Sequence, residues 1–128
     1  TDFLRDITGY YARGLAYDSS GNLWVSECTG PTVHNLYKFA PGASTPSLTV
    51  TSANSINFNN NEGVCTDSNG NVYLADSGNA RVVEMDSSGN YLFTISSGLG
   101  APYGVCADSS NNIYVADLNK FKVFKYAP

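Results

Sequence analysis

A chain of 128 residues and 13.7 kDa is the size of one domain, long enough to bury a real core. Only 14% of its residues are charged, the formal net charge is -4 and the pI is near 4.6, which excludes the basic footprint that a nucleic-acid or polybasic membrane-surface partner needs. No apolar run approaches the ~18 residues of a membrane span.

In chain order the first expected element is a strand over 2–8, DFLRDIT, whose length and pattern match NYLFTIS at 90–96. A strand over 13–18 follows, then a DSSGN turn in which the Asp side chain caps its own backbone and Gly accepts positive φ. The run NLWVSE at 22–27 is nearly apolar, as a strand covered on both faces should be. Polar residues interleave in HNLYKF at 34–39, and SLTVT at 47–51 closes the first set of strands. The Asn-rich SANSINFNNN segment is expected as a loop, with His34 near the same rim. The set then recurs as strands over 62–67, 71–76, 80–85 and 90–95, and again over 103–108, 112–117 and 121–126.

Three copies of one phrase organise this pattern: GLAYDSSGNLWVSE from Gly14, GVCTDSNGNVYLAD from Gly63 and GVCADSSNNIYVAD from Gly104, 49 and 41 residues apart. A period in the forties written in strands alone implies an all-β chain of β-propeller blades. The whole chain, 1–128, is expected to be three four-stranded blades: repeat one over 13–51, repeat two over 62–95 and repeat three over 103–126, the last completed by an N-terminal strand. Three blades cannot close a ring, so the expected assembly is a two-fold homodimer of six blades in which residues 2–8 of one copy finish the last blade of the other. A fragment of a longer six-bladed chain is the alternative. Cys28, Cys65 and Cys106 are an odd number; Cys65 and Cys106 hold equivalent stations and point the same way, so buried thiols are expected rather than a disulfide.

The run GVCTDSNGNVYLADSGNARVVEMD resembles an NHL repeat through Gly63, Asp67, Gly70, Asn71, Tyr73, Ala75, Asp76, Asn79 and Arg81, with Ala80 where that family usually has its His. The third copy keeps Gly104, Asp108, Asn112, Tyr114, Ala116 and Asp117 and departs at Lys120, Phe121 and Lys122. The first has Glu27 for Asp and Asn35 for Arg. The resemblance implies a six-bladed propeller and leaves function open among protein-binding scaffolds, extracellular sensors, lyases and lactone hydrolases. Compartment stays open, with an extracellular setting favoured.

Strands of a propeller that line the axis, and the loops leading into them, meet ligands on one face. The candidate ligand-binding residues there are Arg13, Glu62 and Tyr103 just ahead of the three inner strands, and Glu27, Asp76 and Asp117 ending the next strands. Asp76 and Asp117 also have a structural use, accepting from loop N–H groups and pairing with Arg81 and Lys122 respectively. Arg13, Glu62 and Tyr103 differ from copy to copy, and unlike residues at like stations are where a repeat protein places recognition. No catalytic or metal-ligating residue is assigned, since there is one His and no convergent acid cluster; a calcium ion in the mouth, on Glu62, Asp76 or carbonyls, is the one cofactor considered. The expected function is non-catalytic recognition of a peptide, protein or small glycan. A metal-assisted hydrolase or lyase and a purely structural or engineered self-assembling half-propeller are the alternatives.

Overall fold

The computed structural model describes residues 7–128. Thirteen strands are present among them: β1 Ala12–Tyr17, β2 Leu23–Thr29, β3 Val33–Phe39, β4 Leu48–Val50, β5 Ser52–Ala53, β6 Ile56–Asn57, β7 Asn61–Thr66, β8 Val72–Asp76, β9 Arg81–Met85, β10 Tyr91–Ile95, β11 Pro102–Ala107, β12 Ile113–Asp117 and β13 Lys122–Tyr126. They form antiparallel meanders in the orders β1-β2-β3-β4, β7-β8-β9-β10 and β11-β12-β13, with β5-β6 a separate small hairpin. Three blades therefore stack side by side, the third holding three strands among the described residues. Of the strand expected over 2–8, residues 2–6 lie outside the described residues, and Ile7 and Thr8 are not in a strand.

The turn between the first two strands of each blade sets the register. In blade 1 the Asp18 carboxylate takes the backbone N–H of Ser20 and Asn22 and the Asn22 amide, and Asp67 and Asp108 repeat these bonds with Asn69 and Asn71 and with Ser110 and Asn112. One station is left-handed in all three turns, Gly21 at φ 79°, Gly70 at 84° and Asn111 at 61°. Asn is the non-glycine residue that tolerates this region best. The second strand of each blade (β2, β8 and β12; strand b, with the inner β1, β7 and β11 as strand a) then adds its own aromatic to the cap: Trp24 Nε1, Tyr73 OH and Tyr114 OH donate to the same carboxylates at 3.1, 3.2 and 3.1 Å. Burial, the largest single effect on Asp18, pushes its carboxyl up, and the bonds from Asn22, Trp24 and Ser20 outweigh it and hold the group below the usual range.

Alternation along strand b divides its side chains between neighbouring blades. Val72 and Leu74 join Trp24 and Leu36 in the core between blades 1 and 2, together with Val64, Val83 and Met85. Tyr73 points the other way and joins Ile113, Val115, Cys65 and Val82 between blades 2 and 3. Each blade is thus apolar on both faces, which is why these strands read as continuous hydrophobic runs. Cys28, Cys65 and Cys106 are free thiols; burial, with smaller effects from Cys106 and Asp67, pushes the Cys65 thiol up to about 12.

The Asn-rich insertion departs from the expected loop. Asn54 and Ser55, at φ 53° and 60°, make the two-residue turn of the β5-β6 hairpin, a conformation that matches strand twist and favours Asn at its first position. Ala53 and Phe58 anchor it in the core between blades 1 and 2.

Candidate functional site

The acids Glu27, Asp76 and Asp117 serve the fold in all three blades; Asp76 and Asp117 end their strands as expected, whereas β2 runs two residues past Glu27, to Thr29. Glu27 accepts from Tyr11 N–H at 3.3 Å, the Asn35 amide at 3.3 Å and the Tyr37 hydroxyl at 2.5 Å. Asp76 accepts from Asn59 N–H at 2.7 Å, the Asn79 amide at 2.9 Å and Arg81 Nε at 2.6 Å. The Arg81 guanidinium continues to the carbonyls of Ala53 and Ile56, so it also pins the β5-β6 hairpin. Asp117 accepts from the backbone N–H groups of Gly100, Ala101 and Lys120. In every blade the acid clamps the loop leading into strand a, and in blades 2 and 3 it also takes a donor from the loop after strand b.

The expected Asp117–Lys122 pair is not formed. Lys122 stands across the ladder from Asp117 and is exposed, while backbone donors occupy both carboxylate oxygens. Among the described residues the ion pairs are Arg81–Asp76 and Arg13–Glu62. Burial is the largest effect on the Asp117 carboxyl and pushes it up; the four backbone bonds, from Gly100, Ala101, Lys120 and Asn119, together hold it below the usual range.

The three residues that differ between copies come together as a row. Arg13, Glu62 and Tyr103 sit on β1, β7 and β11, the innermost strands of successive blades. Glu62 is buried, yet Arg13 is 45% and Tyr103 37% exposed. Arg13 Nη1 lies 3.9 Å from Glu62 Oε2, a long contact that leaves guanidinium donors free for another acceptor. On the other side the Glu62 carboxylate, first through its charge and then through hydrogen bonding, raises the Tyr103 phenol above its ordinary value. The row is a cation and a phenol flanking one sheltered anion.

Beside it lie residues the sequence reading placed only as loop. Asn61 is fully buried at the start of β7; its amide N–H donates to the Asn35 carbonyl at 3.2 Å, and its Oδ1 is a buried acceptor with no partner among the described residues. Asn60 accepts from Cys28 Sγ at 3.3 Å, and its N–H donates to His34 Nδ1 at 3.2 Å. Cys28 and His34 face each other across the β2-β3 ladder, but each is bonded to Asn60 instead of to the other. Such a pair is not arranged as nucleophile and base. No group of three or more His, Cys, Asp and Glu side chains is placed to hold a metal ion among the described residues. A run of asparagines gave no signal that one would be buried and another would tie a thiol to an imidazole.

These stacked antiparallel meanders, two of four strands and one of three among the described residues, with inner strands side by side and an acid clamp repeated at each inner rim, define β-propeller blades. Residues 58–84, a segment that runs from the Asn-rich loop through most of blade 2, match the family model described as the NHL repeat. No curated protein matches the chain. Among solved structures, a chain of a nidogen/laminin complex superposes with a TM-score of 0.72 at 18% identity, over 91% of this chain and 43% of that one. A gluconolactonase from Xanthomonas campestris gives 0.60 at 21% identity, over 81% and 34%. A hydrazine synthase from Kuenenia stuttgartiensis gives 0.63 at 14% identity, over 98% and 37%. At these identities the likeness is one of fold. The chain spans well under half the length of each of the three.

Proposed function

We propose that the chain is a non-catalytic binding propeller and that the row Arg13, Glu62 and Tyr103 recognises a polar segment of a peptide, protein or small glycan. One observation carries this reading: the residues that repeat between blades are consumed by the fold, whereas the unlike residues at the three inner stations form one contiguous row with two exposed members. A half-exposed guanidinium offers donors, the phenol offers a flat amphipathic surface with a hydroxyl, and Glu62 holds both in place. The engaged Cys28 and His34 give hydrolytic chemistry no starting pair, which favours recognition over turnover.

Parallel peptide and glycan arrays probed with the labelled chain test the reading. Specific signals are expected, reduced at least tenfold in the Arg13→Ala/Tyr103→Ala double variant with its thermal melting unchanged, because neither side chain is in the core. Arrays without specific signal, or signals indifferent to the double variant, would contradict it.

A further inference from the structure

Two glycines of the inner strands are explained by the blade that follows. A Cβ on Gly14 would stand 2.8 Å from the Glu62 carbonyl oxygen, and one on Gly63 would stand 2.6 Å from the Tyr103 carbonyl oxygen. Each station must stay bare for the next inner strand to lie alongside. Gly104 holds the same station in β11, yet a Cβ there would meet only its own blade's Ala116, at 3.7 Å, and its backbone is not left-handed. Nothing within the described chain requires that glycine.

Side chains around Gly104 agree. Cys65, Ala75 and Val82 are buried at the second junction, but their counterparts Cys106, Ala116 and Val123 are exposed, Val123 at 70%. At the other end of the stack, Leu15 is 63% exposed where its counterpart Val64 is buried. The outer rim repeats the pattern. At the first junction Gly89, ahead of blade 2's fourth strand, lies so close to β4 that a Cβ would come 2.8 Å from Val50. The matching place at the second junction is a groove of about 730 Å³ between β10 and the end of β13, lined by Leu92, Phe93, Ile95 and Tyr126. Among the described residues β13 pairs with β12 alone.

Residues 2–8 have the length and pattern of the 90–96 stretch that contains β10. Ile7 and Tyr10 lie on blade 1, the Tyr10 ring 4.7 Å from that of Tyr37. The five residues before Ile7 reach at most about 17 Å, and sheets stack about 10 Å apart. Two blades away, and farther at the rim where blades diverge, β13 of the same chain is out of reach.

We propose that two copies close a six-bladed ring by exchanging their first segments: residues 2–8 of each copy fill the groove and pair with β13 of the other, and the first blade of each covers the Gly104 face of the other. The proposal sets the assembly independently of what the mouth binds. Light scattering coupled to size exclusion on the 128-residue chain at micromolar concentration should give about 27 kDa, twice the 13.7 kDa of one copy. Gly104→Ala meets only an ordinary contact within its own chain, so it should keep the circular dichroism spectrum and fall to the mass of one copy. Phe3→Asp/Leu4→Asp should do the same through the exchanged segment. A wild-type chain of 13.7 kDa, an open-ended larger assembly, or a dimer indifferent to either variant would overturn the proposal.

Discussion

Replacing Asp76 with alanine is expected to cost about 3–5 kcal/mol of folding stability, as breaking a buried ion pair from one side does. Asp76 is fully buried and the Arg81 side chain is 5% exposed, so the substitution strands a guanidinium where water cannot reach it. The same carboxylate satisfies Asn59 N–H and the Asn79 amide, two further donors that would lose their partner. Arg81 would keep its bonds to Ala53 and Ile56, which do not neutralise it. Adding Arg81→Met to Asp76→Ala should therefore recover part of the loss, because the stranded charge goes with it. Urea titration of the single and double variants measures both effects; equal stability of the Asp76→Ala protein and the wild type would contradict the clamp.

A loss of similar size, about 3–5 kcal/mol, is expected for Trp24→Ala. The indole is fully buried between blades 1 and 2 against Leu36, Val64, Val72 and Leu74, and its N–H is part of the Asp18 cap at 3.1 Å. The substitution opens a cavity at a blade junction and removes a donor from a carboxylate that depends on several. Lys38 Nζ, 5.3 Å from the ring centroid, loses its aromatic partner as well. Thermal unfolding should fall by roughly 10–20 °C for a domain of this size. Tyr73 performs the same two tasks one blade on, so Trp24→Tyr should retain much of the stability that alanine loses.

Much of the blade was legible because the repeat writes its physics three times. The alternation of Val72, Tyr73 and Leu74 between two faces follows from period-two geometry and continuous hydrophobicity. The strands differ from their expected bounds for local reasons. Asn22, Asn71 and Asn112 belong to the Asp-capped turns, so strand b starts one residue later than 22, 71 and 112. Strand a starts one residue earlier because Ala12, Asn61 and Pro102 pair across a bulge with Glu27, Asp76 and Asp117.

Less of the site could be read. Unlike residues at like stations pointed to Arg13, Glu62 and Tyr103, but contact between them depends on how closely the inner strands pack, which the bare glycines set. For Glu27, Asp76 and Asp117, type and position fit a ligand and a clamp equally well until their donors are known. The role of Arg81 in holding the β5-β6 hairpin depends on an insertion 25 residues upstream. Local pattern carries no information about such a contact.

The coupling of Arg13, Glu62 and Tyr103 into one row is tested most directly by the titration of Tyr103, followed by NMR of its ring in the wild type and in Glu62→Gln. The neighbouring carboxylate disfavours the phenolate, so Tyr103 should titrate above an ordinary tyrosine in the wild type and fall back toward the ordinary value once Glu62 is neutral. An unchanged titration in Glu62→Gln would mean that these side chains stand apart, and the mouth would lose the linked surface on which recognition rests.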